Sequence, residues 1–219
     1  MLTNLPPVTK ALLIANVGVF LLQKLLGSAL FAPLMLWPMG MEAYARVAGV
    51  SGFLPWQLLS YGFLHGDLAH LLFNMLALVM FGAQLEYVWG QKRFLTYFLV
   101  CVAGAGLCQL GVASWSVLEG GLPYPTVGAS GGVFGLLLAT GMLFPHQRVM
   151  LLIPPIPMKA RTLVIVFGVI TLFMGITGTQ AGVAHFAHLG GMLFGWLLIR
   201  YWRGQPPFRR GGPTRARHF

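Results

Sequence analysis

The sequence predicts an all-α membrane protein: a bundle of six transmembrane helices with a membrane-embedded external loop between helices one and two. Of its 219 residues 57% are hydrophobic and 8% charged, with a mean hydropathy of +0.78, whereas a water-soluble domain of this size carries far more charge. Apolar runs recur at about 11–30, 68–85, 94–113, 130–144, 161–177 and 184–202, and a helix needs roughly 20 residues to cross about 30 Å of hydrocarbon. With six spans and both ends on one side, Lys10, Lys92, Arg93, Arg148, Lys159, Arg161, Arg200, Arg203, Arg209, Arg210, Arg215 and Arg217 gather on that side, leaving Lys24 and Arg46 opposite. The positive-inside rule makes it cytoplasmic. The net charge of +10 therefore reads as topology and contact with anionic headgroups, not as nucleic-acid binding. The expected location is a bacterial inner (plasma) membrane with both termini in the cytoplasm.

Taken in order, residues 1–10 form a cytoplasmic lead, 11–202 the membrane domain and 203–219 a basic, Gly- and Pro-rich disordered tail. The first run has one basic residue ahead of it, Gln23 and Lys24 behind it and no clear cleavage site, so it reads as a retained anchor rather than a signal peptide. Residues 32–64 form the longest loop, yet Trp37, Phe53, Trp56, Tyr61 and Phe63 make it aromatic, which suits the outer membrane interface better than water. Helix two ends near Leu85, and 86–93 is a short cytoplasmic turn. Helix three holds Gly104, Gly106 and Gly111 and leads to an outer loop, 114–127. Helix four, about 15 residues or roughly 22 Å, is shorter than the membrane, so its preceding loop dips inward. Irregular backbone at that depth must be buried in protein or line a water-filled cavity, which puts Ser130 at the floor of a small aqueous pocket. A proline-rich cytoplasmic turn at 153–157 follows. Helix five carries Gly168, Gly175 and Gly178 and is the candidate mobile wall for lateral entry. On helix six Ala187, Gly191 and Gly195 repeat every four residues, a face that lets another helix approach closely. Cys101 and Cys108, seven residues apart on one helix, cannot form a disulfide with each other and read as core thiols.

The chemistry-bearing residues cluster. Gly128-Ala129-Ser130-Gly131-Gly132 places a serine where a loop enters a helix, beside unpaired N–H groups and the positive end of the helix dipole. His65, His70 and Asn74 stand at the head of helix two, His185 and His188 at the head of helix six. Helices two, four and six all run from outside to inside, so the clusters share one depth, and intramembrane polar groups are functional hypotheses by default. His70 and Asn74, four apart, share a helix face; His65 points elsewhere and is expected to brace the external loop. A serine and a histidine together in a dry site can perform acyl transfer. None of the four acids (Glu42, Asp67, Glu86, Glu119) is placed to complete a triad, so a dyad is expected. The rival reading is a metal site or transporter using His65, His70, His185 and His188. It has no carboxylate beside the histidines and no HExxH motif, and it leaves the glycine-flanked serine unexplained.

His65-x4-His70-x3-Asn74, then Gly128-x-Ser130-Gly131, then Ala187-His188-x2-Gly191-x3-Gly195, in this order on the second, fourth and sixth spans, resemble the rhomboid family of intramembrane serine proteases over about residues 50–200. The resemblance implies Ser130 as nucleophile, His188 as general base, and an oxyanion hole made by His70, Asn74 and the Ser130 N–H. Glu86 and Gly90 match a structural Glu-x3-Gly of that family. Two positions depart from its pattern: Phe134 stands where many members have a tyrosine stacked on the catalytic histidine, and Trp56-Gln57 where many have Trp-Arg. The resemblance implies transmembrane protein substrates reached through the lipid bilayer, with no metal or organic cofactor. Inactive relatives lose the serine or histidine; a non-catalytic chaperone for membrane clients is the further alternative, and this chain has both residues.

Overall fold

Helix α1 (Pro7–Leu26) begins where Pro7 occupies a first-turn position whose missing N–H costs nothing. It starts and ends about four residues before the expected limits, because Gly27 leaves helical geometry at φ 86°. The computed structural model describes residues 4–150, 155–178 and 184–208. Residues 1–3 of the lead, Ile153 and Pro154 of the proline-rich turn, and tail residues 209–219 lie outside the described residues. One face of α1 is buried and carries a polar residue every seventh position, Thr9, Asn16 and Gln23, between Leu12 and Phe20. The two outer ones tie α1 to the rod that carries Glu86 and to the external loop. The Glu86 carboxylate accepts from Val8 N–H (2.9 Å), Thr9 N–H (2.7 Å) and the Thr9 hydroxyl (2.8 Å), placing a negative charge against the positive end of α1. Gln23 Oε1 accepts from His65 N–H (3.1 Å).

The long loop is not extended. It folds as a 3₁₀ turn (Ser28–Leu34), helix α2 (Glu42–Ala48), helix α3 (Gln57–Ser60) and a second 3₁₀ turn (Tyr61–Phe63). Fully buried Gln57 organises it: its Oε1 accepts from Trp37 N–H (3.1 Å) and its Nε2 donates to the carbonyls of Pro33 (3.3 Å) and Gly52 (3.2 Å). Glutamine thus braces this loop where the family pattern has arginine. Tyr61 Oη donates to Val102 O (2.8 Å), anchoring the loop on the long helix that carries Val102.

Helix α4 (Leu68–Ala77) continues through a π turn (Leu78–Gly82) into α5 (Ala83–Trp89) as one rod. The cytoplasmic turn expected at 86–93 shrinks to a single joint, Gly90 at φ 76°, from which α6 (Gln91–Leu118) starts. Helix α6 runs 28 residues and absorbs the first part of the outer loop expected at 114–127. There Ser114 Oγ accepts from Met39 N–H (2.9 Å). Helix α7 (Ser130–Leu143) is followed by strand β1 (Arg148–Met150), which pairs antiparallel with β2 (Pro157–Lys159). Then come α8 (Ala160–Thr177) and α9 (His185–Trp202). Arg200 Nε donates to Pro206 O (2.6 Å) and the Phe208 ring meets Tyr201 edge-on at 5.6 Å. The stretch 203–208 expected to be disordered therefore turns back onto α9.

Among the described residues four helices, Pro7–Leu26, Leu68–Trp89, Gln91–Leu118 and Ala160–Thr177, are long and apolar enough to cross a membrane. Ser130–Leu143 is apolar but shorter, and His185, His188 and Arg200 lower the hydropathy of α9. The core lies where α6, α7 and α9 meet around Phe94, Tyr97, Phe98 and Leu136. Tyr97 Oη donates to Gly135 O (2.8 Å), joining α6 to α7. The small-residue face of α9 packs here: a methyl on Gly191 would overlap the Gly131 carbonyl oxygen of α7, and one on Gly195 the Tyr97 hydroxyl. Cys101 is buried in the same interface, and both cysteines are free thiols.

Candidate active site

Ser130 is the first residue of α7, so its own N–H and those of the next two residues have no partner within the helix. Val133 N–H is the first to pair, donating to Ala129 O (3.0 Å). The preceding loop is held on two sides. Thr126 and Leu36 exchange both backbone hydrogen bonds (2.9 and 3.1 Å), and Gly128 N–H donates to Tyr61 O (2.9 Å). Gly128 has φ 129°, and a side chain there would put its Cβ 2.6 Å from His70 Nε2. Glycine is thus required by backbone conformation and by the nearness of the histidine.

The close approach of α9 to α7 at Gly191 and Gly131 brings His188 over the serine. His188 Nε2 lies 2.8 Å from Ser130 Oγ. The Phe134 ring stacks on the imidazole at 4.2 Å and an interplanar angle of 5°, and meets Phe167 of α8 at 6.2 Å. Phenylalanine supplies the stack, one turn below Ser130. His188 Nδ1 is buried and has no hydrogen-bond partner among the described residues, so no carboxylate orients the ring from behind.

A cavity of about 900 Å³ opens beside the pair and is lined by His70, Asn74, Ser130, Phe134 and His188 among others. Its size is that of a ligand pocket. It extends along α4 and the π turn to Phe81 and along α8 to Leu163 and Phe167. His70 and Asn74 reach it from the first turns of α4, whose N-cap is Asp67: its carboxylate accepts from His70 N–H at 2.8 Å. That hydrogen bond holds the exposed Asp67 carboxyl below the ordinary carboxylate range.

Ser130, His188, His70, Asn74 and Phe134 are therefore gathered on one cavity, with Gly128 closely beside His70 and the Gly131–Gly191 contact holding α9 against α7. His65 corrects its expected direction. It is buried, and its ring meets the His70 ring edge-on at 5.0 Å. The helical spacing rule does not apply to it, because α4 begins only at Leu68. Its backbone N–H does tie the external loop to α1. His185 lies 6.3 Å from His188, ring to ring, and among the described residues no three His, Cys, Asp or Glu side chains are grouped to hold a metal ion. Asp67 was not picked out by sequence reasoning, although an aspartate directly before an apolar helical run is an N-cap signal. Tyr61 gave no comparable signal as a brace for the serine loop.

A family model described as the Rhomboid domain matches residues 52–204. The chain is 34% identical over 159 residues to RHOMBOID-like protein 4 of Arabidopsis thaliana, covering 73% of this chain and 36% of that protein. It is 30% identical over 154 residues to the mitochondrial Rhomboid protein 1 of Saccharomyces cerevisiae (65% and 42%). It is 34% identical over 141 residues to the Rhomboid protease GluP of Bacillus subtilis (64% and 25%). The chain thus spans a quarter to less than half of the length of these relatives. They come from plants, yeast and bacteria, and what they share with this chain is an integral membrane domain rather than one particular membrane.

Proposed function

This chain belongs to the rhomboid family, and from that premise we propose that it is an intramembrane serine endopeptidase that cuts membrane-anchored proteins within or near their transmembrane segment. The observation that carries this reading is the 2.8 Å approach of His188 Nε2 to Ser130 Oγ on a cavity shared with His70 and Asn74. In the reading, α1, the α4–α5 rod, α6, α7, α8 and α9 are six spans with both ends cytoplasmic, and the long loop lies in the outer interface. The short α7 and the polar head of α9 then set the dyad below the outer surface, open to water only through the cavity.

The mechanism follows from these atoms. As Ser130 Oγ attacks a peptide carbonyl carbon, its proton passes to His188 Nε2. The oxygen of the tetrahedral adduct takes the negative charge, stabilised by the Ser130 N–H at the positive end of α7 and by the His70 and Asn74 side chains. His188 returns the proton to the departing amine. A water molecule, deprotonated by the same imidazole, then releases the acyl group from Ser130. The stack on Phe134 keeps the ring in place in the absence of a carboxylate. A carbonyl inside a helix is hydrogen-bonded and shielded, so favoured substrates unwind easily at the cut and carry small residues there.

Cleavage of a single-span reporter in liposomes tests the reading. Ser130→Ala and His188→Ala are each expected to lower the rate by about 10⁴-fold or more, while a chelator leaves it unchanged. Cleavage that survives Ser130→Ala sinks the proposal, and inhibition by the chelator would revive a metal site. Reporter binding without cleavage by the unaltered chain favours the membrane-chaperone reading.

A further inference from the structure

The β1–β2 hairpin between α7 and α8 pairs Arg148 directly with Lys159. Like charges at directly opposed positions of an antiparallel pair repel and destabilise it. Arg161 follows two residues later in the first turn of α8, where a cation opposes the helix dipole. All three side chains are exposed, and no Asp or Glu follows Glu119 in the sequence. Glu86 is committed to the start of α1, while Glu42, Asp67 and Glu119 sit at the opposite end of the bundle, where α4 begins and α6 ends.

The hairpin has two chemically distinct faces, as strand alternation requires. Val149 and Met158 pack toward the core. Arg148, Met150, Pro157 and Lys159 point the other way, with Met150 61% exposed and neighbouring Ile156 48% exposed. Three exposed cations beside an exposed apolar strip complement a lipid with an anionic phosphate head and an apolar body; a soluble anion uses only the cations.

We propose that the base of this hairpin is a binding site for the phosphate of an anionic glycerophospholipid of the leaflet facing it, held by Arg148, Lys159 and Arg161, with Met150 and Ile156 against the lipid body. The proposal rests on the reading of this end of the bundle as the cytoplasmic membrane surface, and does not depend on catalysis. Because Ala160 N–H donates to Gln147 O (2.8 Å) and Arg161 N–H to Pro145 O (3.3 Å), a lipid held here steadies the foot of α8, one wall of the cavity.

The test uses the full chain carrying Ser130→Ala, so that its outcome is independent of proteolysis. Native mass spectrometry from detergent follows the tightest bound lipid as phosphatidylglycerol or phosphatidylcholine is added. Phosphatidylglycerol is expected to bind more tightly. Changing Arg148, Lys159 and Arg161 to Gln weakens it about fivefold per charge, roughly a hundredfold for all three. The exchange of Arg148→Lys with Lys159→Arg retains binding, as does Lys92→Gln with Arg203→Gln. Unchanged affinity in the triple variant overturns the proposal. So does an equal loss from the Lys92 and Arg203 pair, which marks diffuse charge, and displacement of the lipid by inorganic phosphate, which marks a soluble-anion site.

Discussion

Helices α8 and α9 are neighbours in the chain, equal in length at 18 residues, and both contain glycines, yet they are held in opposite ways. Helix α9 buries His185, Ala187, Gly190, Gly191, Met192, Gly195 and Ile199 against α6 and α7. Helix α8 buries only Ala160, Leu163 and Thr171, and 17% of its apolar window is inside the protein, against 50% for α6. On α9 a methyl at Gly191 or Gly195 would collide with backbone or a buried tyrosine. On α8 a methyl at Gly168 would meet nothing nearer than Met192 Cε at 3.8 Å. Glycine thus means a close helix contact at Gly191 and Gly195 of α9, whereas Gly168 of α8 has room for a methyl group; Gly175, near the far end of α8, approaches His185 and Phe186. The helix that carries the candidate base is fixed by packing; the helix that walls the cavity is fixed mainly at its foot.

Substitutions on the two helices, and at Phe134 of α7, which touches both, test this contrast. Gly191→Ala should have the largest effect. The added methyl forces α9 from α7, costing about 1–3 kcal/mol and separating His188 from Ser130, so reporter cleavage falls roughly a hundredfold; thermal unfolding and the cleavage rate are measured together. A variant that unfolds and cleaves like the parent would show that the helix contact does not set the dyad. Phe134→Ala comes next, since Phe134 touches both His188 and Phe167. Losing a ring stack of about 1 kcal/mol should slow cleavage several-fold, and Phe134→Tyr, which keeps the ring, should restore it. Gly168→Ala should be smallest and of opposite sign. It raises stability by up to about 1 kcal/mol through helix propensity alone, and cleavage is unaltered. A large loss there would mean that α8 packs more tightly than its burial suggests.

What the sequence made legible follows the same contrast. The residues of the site were readable because each is unusual where it stands: a serine between glycines, histidines in apolar helices, small residues every fourth position. The helices themselves were readable from apolar runs, but their ends were not. Gly90 and Pro7 act through backbone geometry that shifts a boundary by several residues, and α6 continues through Ser114 because that hydroxyl finds a partner in the distant Met39 N–H. The ring contact of His65 with His70 depends on where α4 starts, which Asp67 decides. The bracing by Gln57 is a tertiary arrangement of three backbone partners from a loop with no periodicity, and no local pattern announces it.

The π turn at Leu78–Gly82 divides the second span into two halves of independent phase. A π turn is what a helix makes of one inserted residue. Above it, His70 and Asn74 face the cavity; below it, Glu86 faces the start of α1. Deleting one residue inside the turn would restore a regular helix, leave the upper half as it is and rotate Glu86 by about 100°, away from Val8 and Thr9. The extra residue lets a single rod satisfy two neighbours whose positions do not fit one helical repeat. Single-residue length changes in 78–82 are therefore expected to uncouple α1 from the bundle while leaving Ser130, His188, His70 and Asn74 unaltered.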